Sequence, residues 1–452
     1  MHTPGGCGHC GTIVRAAIHP VAVSMPAFTS PEFTQIFLAA FILTFGLKLW
    51  LLLRHMRHVW LHRESVPAAF ADHIPLEAHQ KAAAYTLAKA RTGLLHLGLE
   101  GLLLLGFTLG GGINWLHAAA TAHLESSLLA DTALLLGLAL LSSAAELPLD
   151  LWHQFKTEGR FGFNRQTLSG YLGDQAKQIV LALALGGPLI LLVLWLMGVM
   201  GAAWWLWVWG VWMTFNLLVL ALYPTLIAPL FNTFTPLEDP DLKSRIEALL
   251  ARTGFKSNGV FVMDGSRRSS HGNAYFTGLG QAKRIVFFDT LLKQLNPAQT
   301  EAVLAHELGH FHHRHILKRI AFMFLFSLVL LALLAMLKDA PWFYVGLGVD
   351  EPGNAAALAL FFLAMPVFLF PLSPFMSLLS RKHEFEADTF AARHAEPTQL
   401  ISALVRLYTD NAATLTPDPL YSLFYDSHPK AVERIAQLEK QPTLQAAAPL
   451  QA

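Results

Sequence analysis

Apolar positions in this chain come in long uninterrupted blocks set between short charged segments. A helix needs about 20 predominantly apolar residues to cross a bilayer, and about seven runs of that length stand out. They are Phe33 to Leu53, Thr92 to Gly112, Leu128 to Leu149, Ile179 to Met200, Ala203 to Leu222, Ile320 to Leu337 and Ala355 to Leu379. Between the fifth and sixth runs the pattern changes. Leu242 to Thr253 has the apolar spacing of a short helix, and Val260 to Met263 reads as a strand. Asn273 to Thr277 and Arg284 to Phe288 read as two more strands, joined by the turn Gly278-Leu279-Gly280 into a small hairpin sheet. Asn296-Pro297 then opens a helix that places Val303, Leu304, Leu308 and Phe311 on one face.

Composition agrees with the blocks. Of 452 residues, 54% are hydrophobic and only 14% charged, against about 25% charged in soluble domains. A net charge of +1, with no basic stripe interleaved with aromatics, sets nucleic acid aside as a partner. The two cysteines, Cys7 and Cys10, lie in a Gly-rich head that reads as a disordered tail, and they exclude a disulfide framework. Pro20 and Pro26 interrupt that head before any long apolar run, so no signal-peptide pattern is read there.

The connections alternate in charge. Arg54, Arg57, Arg63, Lys81, Lys89 and Arg91 fill the first, whereas residues 113–127 carry no Lys or Arg. Lys156, Arg160, Arg165 and Lys177 fill the third, residues 228–319 are basic, and Arg381-Lys382 opens the C-terminal part. Positive charge concentrates on the cytoplasmic side, so the expected topology has the N-terminus outside and every large polar segment in the cytoplasm. Glu146, Pro148, Asp150, Asn216, Pro366, Pro371 and Pro374 sit within or at the ends of spans, where facing hydrocarbon is costly; they are expected to face protein or water. Trp204, Trp205, Trp207, Trp209 and Trp212 read as an interfacial belt.

The candidate chemistry lies in the polar segments. His306 and His310 are four apart on one helix face and can share a tetrahedral zinc ion. Glu307 lies about 100° further round, within reach of a water on the metal, where a carboxylate acts as general base. His312, His313 and His315 diverge from that face and read as a solvated helix end. A catalytic zinc usually has three protein ligands. In His383-Glu384-Phe385-Glu386-Ala387-Asp388, Glu384 and Asp388 share a face and Glu386 opposes them. Glu384 is the expected third ligand, and Asp388 the acceptor that orients a ligating imidazole. Ser427-His428-Pro429 offers His428 before a Pro-started helix, with Arg434 one to two turns in, as a proton donor and charge stabiliser.

These segments together resemble the CAAX prenyl protease 1 family of integral-membrane zinc metallopeptidases. The resemblance covers most of the chain after residue 80. It rests on Gly162-Phe163-Asn164-Arg165-Gln166-Thr167, Ile227-Ala228-Pro229-Leu230-Phe231-Asn232, Asp264 to Gly278, His306 to His310, Glu384 to Asp388, and Ser427 to Arg434. It implies His306, His310 and Glu384 as ligands of one zinc ion, Glu307 as the base and Asp388 as support. It implies His428 and Arg434 beside the scissile carbonyl, and Asn273 and Ala274 as an edge strand bonding the substrate backbone. It further implies membrane helices around a water-filled chamber with the active site at its cytoplasmic end. The Ala- and Leu-rich spans read as those of a bacterial inner-membrane protein; bacteria generally do not prenylate CAAX proteins, which leaves prenyl-peptide cleavage as a capacity.

The expected fold class is an all-α integral membrane protein of about seven transmembrane helices, with a small α+β zinc-metallopeptidase domain on the cytoplasmic side. The expected division is a tail over 1–30, five membrane helices over 31–230, a catalytic segment over 231–319, two membrane helices over 320–380, a second catalytic segment over 381–440 and a tail over 441–452. The expected activity is hydrolysis near the C-termini of prenylated or other membrane-associated polypeptides. Membrane-protein quality control is the alternative within the same chemistry. A transporter with a structural metal site is a third reading; it predicts a closed ligand shell, since structural sites usually have four protein ligands, and it leaves Glu307 without a role.

Overall fold

The structure is a computed structural model that describes residues 28–277 and 284–442. The Cys7–Cys10 head, the turn Gly278-Leu279-Gly280 and the final ten residues, 443–452, lie outside the described residues. In chain order the main helices are α1 (Ser30–Leu61), α2 (Leu76–Phe107), α3 (Gly112–His123), α4 (Ser127–Trp152), α5 (Leu168–Val199), α6 (Trp204–Leu222) and α7 (Pro240–Thr253). They continue as α8 (Pro297–His312), α9 (His315–Leu337), α10 (Asn354–Leu369), α11 (Ser373–His394), α12 (Pro397–Asp410) and α13 (Ala431–Leu438). Six helical runs are long and apolar enough to cross a membrane, and seven when α2 and α3 count as one bent span.

α3 occupies residues expected to be a plain connection, and it turns 58° from α2. The glycine run between them explains the bend. Gly111 adopts φ +77, and a Cβ on Gly110 or Gly112 would lie 2.8 Å from the Gly106 carbonyl oxygen. Only residues without a side chain allow the chain to fold back that closely.

The membrane core centres on α10, where Ala355, Ala356, Ala357 and Ala359 are buried and let neighbouring helices approach. Pro366 lies inside α10, Pro371 in the 3-10 turn Phe370–Leu372 and Pro374 at the start of α11, and helical structure nevertheless runs from Asn354 to His394. Asn216 donates to the Trp212 carbonyl of its own helix at 2.7 Å, and Lys48 pairs with Glu100 at 2.7 Å between α1 and α2. Trp204 is buried and Trp209 donates to the Phe324 carbonyl at 2.9 Å, so these two tryptophans join helices, unlike the belt expected for all five.

The polar segment between α6 and α9 folds around a four-stranded sheet of β1 (Phe234–Pro236), β2 (Val260–Met263), β3 (Ala274–Thr277) and β4 (Arg284–Phe288). Its order is β1-β2-β4-β3, with β2 and β4 parallel and the other two pairs antiparallel. The expected hairpin is there, Ala274 opposite Phe287, but the sheet extends beyond it through a crossover and a first strand of three residues. A second core of Ile246, Leu249, Phe287, Leu304, Leu308 and Leu400 packs α7, α8 and α12 on this sheet. Arg54 of α1 reaches Asp418 at 3.0 Å, tying the C-terminal segment to the first span.

Candidate metal centre

α8 begins at a capping box in which Asn296 and Gln299 each accept from the other's backbone N–H, with Pro297 in the first turn. Its apolar face anchors it, leaving His306 buried and His310 half-buried beside α11. The two helices meet at Gly309. A Cβ there would lie 2.8 Å from the Ala387 Cα and 3.1 Å from the Phe390 Cβ. The missing side chain lets α11 carry Glu384 directly against the histidines.

The three expected ligand groups converge. His306 Nε2 and His310 Nε2 are 3.3 Å apart, and Glu384 oxygens lie 3.5 and 3.4 Å from them. Ligands of a tetrahedral zinc at 2.0–2.1 Å stand about 3.3–3.4 Å from one another, so the triangle has the size such an ion needs. Glu384 Oε2 is buried with no hydrogen-bond partner among the described residues, an orphaned acceptor in a site of two imidazoles and a carboxylate. The donor set and its dimensions fit zinc.

Behind the triangle, His306 Nδ1 donates to Asp388 Oδ1 at 2.8 Å. Asp388 is fully buried and is clamped by Arg434, Nε to Oδ2 at 2.8 Å and Nη2 to Oδ1 at 2.6 Å. Burial alone would raise the Asp388 pKa, but Arg434 and His306 hold it below the ordinary aspartate range. Burial likewise opposes ionisation of Glu384, and the two histidines overcome it, keeping that carboxylate far below its usual range. For His306, burial and then the Arg434 charge act downward; Asp388 and Glu384 outweigh them and raise it to about 9.

The remaining expected residues fall around this centre. Glu307 is half-buried on α8, and none of the described residues bonds its carboxylate. His428 stands at the rim with its side chain 63% exposed, Nε2 3.5 Å from Glu384 Oε1 and Nδ1 3.0 Å from Ser427 Oγ. Arg434 differs from expectation. Its Nε and Nη2 are spent on Asp388, Nη2 also lies 3.3 Å from His306 Nδ1, and Nη1 is 3.7 Å from Glu384 Oε2. Asn273 and Ala274 lie where β3 ends the sheet order. Phe288 N donates to the Asn273 carbonyl, so by strand alternation the Ala274 N–H and C=O face the open edge. Asn273 Oδ1 caps that N–H at 2.8 Å.

His315 departs from expectation too. It is buried, not solvated: its Nδ1 lies 3.0 Å from His310 Nδ1 and its Nε2 2.8 Å from Glu386 Oε2. The helix break between α8 and α9 makes this contact, with Arg314 at φ 56 turning the chain back. No helical spacing relates residues across such a break, and the sequence therefore hid it.

The chain is similar to known proteins over most of its length. Residues 55–233 match the family model described as CAAX prenyl protease N-terminal, five membrane helices, and residues 236–441 match Peptidase family M48. CAAX prenyl protease 1 of Saccharomyces cerevisiae is 32% identical over 86% of this chain and 91% of its own. The Homo sapiens CAAX prenyl protease 1 homolog is 29% identical over 90% of this chain and 96% of its own. The crystal structure of S. mikatae Ste24p superposes with a TM-score of 0.83 at 32% identity, covering 90% of this chain and 98% of that one. The chain belongs to the CAAX prenyl protease 1 family and is a membrane-embedded zinc metalloendopeptidase of peptidase family M48.

Proposed function

We propose that the chain binds one zinc ion through His306, His310 and Glu384 and hydrolyses peptide bonds near the C-termini of prenylated or other membrane-associated polypeptides. The observation that carries this reading is the ligand-sized triangle with its orphaned Glu384 oxygen, together with Glu307 next in sequence to His306 and without a partner among the described residues. Bound by His306, His310 and Glu384, the ion would supply Lewis-acid polarisation of a carbonyl and would lower the pKa of a water. Glu307, with no competing partner among the described residues, removes a proton from the attacking water and delivers it to the leaving amine, so one water is consumed as hydroxyl on carbon and hydrogen on nitrogen. His428, exposed at the rim, donates toward the oxygen on which negative charge develops.

Arg434 serves as a positioning residue, because two of its three nitrogens hold Asp388, which in turn holds His306 in its ligating tautomer. The open edge of β3 receives the substrate as an added strand, through the Ala274 backbone after Asn273 releases its cap. The basic connections favour a topology with the N-terminus outside and the site facing the cytoplasm, and the Ala- and Leu-rich spans favour a bacterial inner membrane. In that arrangement 31–230 and 320–380 span the bilayer, and 231–319 and 381–440 form the catalytic face.

The test is cleavage of a farnesylated CAAX peptide and of an unfolded membrane protein by full-length protein, with and without chelator. Glu307→Gln should abolish cleavage and keep the zinc. Undiminished cleavage by that variant sinks the reading, and preference for the unfolded protein reassigns the substrate to quality control.

A further inference from the structure

The outer nitrogens of the two histidines are held differently. His306 Nδ1 meets a carboxylate directly, whereas His310 Nδ1 meets His315 Nδ1 at 3.0 Å, and His315 Nε2 meets Glu386 Oε2 at 2.8 Å. Only one order of protons satisfies this chain when His310 Nε2 is a ligand. That nitrogen must then be bare, so His310 carries its proton on Nδ1 and donates it to His315 Nδ1. His315 in turn carries its proton on Nε2 and donates it to Glu386. Both outer paths end on carboxylates of α11, the helix that also supplies Glu384.

Packing holds this path in place. His315 is buried, its ring stacks on that of buried His383 at 3.9 Å and 14°, and Arg314 in the left-handed region sets the turn that folds it back on His310. The free oxygen of Glu386 lies 3.9 Å from Lys382 Nζ, which favours the ionised acceptor. We propose that His315 and Glu386 are positioning residues for the metal centre, a two-step hydrogen-bond path that fixes the tautomer and aim of His310 and thereby sets metal affinity. The proposal rests on the reading that His310 is a ligand.

A second metal ion is the competing use of the same groups, since ligand atoms of His315, His383 and Glu386 lie within 4.8 Å of one another. The stacking argues against it. Nearly parallel imidazole planes do not aim their lone pairs at one point, and both nitrogens of His315 already have partners.

The experiment measures zinc stoichiometry and affinity by chelator competition on detergent-solubilised full-length protein, with the visible spectrum of the cobalt-substituted form as a second readout. His315→Phe preserves the stacked ring and removes the path; it should weaken zinc binding about 10- to 100-fold, the usual effect of losing such an outer partner, and alter the cobalt spectrum. His315→Asn, whose amide oxygen sits where Nδ1 does, should restore most of the affinity. Glu386→Gln should give a smaller loss than His315→Phe. Melting of the metal-free protein should be alike in all three, which separates the effect from packing. If His315→Phe binds zinc as tightly as the unaltered chain while His310→Ala does not, the path has no role and the ligand assignment stands. If His310→Ala also keeps its zinc, the ligand assignment itself fails. A second zinc equivalent that disappears with His383→Ala overturns the proposal in favour of a second site.

Discussion

Gly309 separates folding from metal binding, and Gly309→Ala is the sharpest probe of the site. The new Cβ would stand 2.8 Å from the Ala387 Cα and 3.0 Å from its carbonyl oxygen, both backbone atoms that no rotamer change can move. Carbon atoms rest about 3.5–4.0 Å apart, so α8 and α11 must separate by about 0.7–1.2 Å. Overpacking of this kind costs about 1–3 kcal/mol, and Ala returns about 1 kcal/mol of helix propensity, leaving a net loss of about 0–2 kcal/mol. The fold survives that. The triangle does not, because Glu384 rides on α11 only three residues from Ala387 and metal–ligand distances tolerate about 0.2 Å. A displacement near 1 Å at a reacting centre costs about 10²-fold, the expected fall in kcat/KM, together with weaker zinc binding. Gly98→Ala, where no atom lies within 4 Å of the added carbon, is the control. Zinc competition, thermal melting with and without chelator, and peptide cleavage decide the matter. Wild-type zinc affinity in Gly309→Ala would refute the idea that this contact sets the ligand spacing.

Other perturbations address neighbouring parts. Arg434→Met leaves Asp388 buried without its guanidinium and with His306 as its remaining partner among the described residues, so the protein should lose up to about 3–5 kcal/mol at neutral pH by denaturant melting. In the native protein Asp388 is held low, and its contribution is present above the ordinary aspartate range and fades only as pH falls through its depressed value. In Arg434→Met burial acts unopposed by that charge and lifts Asp388, so the variant should instead regain stability as pH is lowered; a melting curve parallel to wild type across pH would contradict this. Ala274→Pro removes one edge-facing N–H and spares the β3–β4 ladder, and should lower peptide affinity by about 1 kcal/mol, seen in KM with zinc unchanged. Asn296→Ala deletes the cap of α8 and should cost about 1 kcal/mol in melting without altering the cleavage pH profile.

What the sequence made legible follows from the range of each interaction. The spans announced themselves because hydrocarbon imposes one rule on every residue of a run. His306 and His310 could be paired because helix geometry fixes residues four apart, and Glu384 could be separated from Glu386 by the same reasoning. β1 stayed hidden because three residues carry no alternation, and the parallel β2–β4 pairing because it joins segments whose register no turn dictates. α3 was hidden by the glycines that bend it away from α2. The commitment of Arg434 to Asp388 and the burial of His315 depend on which helix face meets which, and that information lies in tertiary packing.

The helical run from Asn354 to His394 starts among the spans and ends beneath His306 and His310. During synthesis α8 emerges long before that run has threaded. Until it does, the chain holds two imidazoles without their carboxylate, and without Asp388 and Glu386 to orient them. Two imidazoles alone fall one short of the three protein ligands a catalytic zinc usually has. Insertion of the last span is therefore the step that completes this set of side chains.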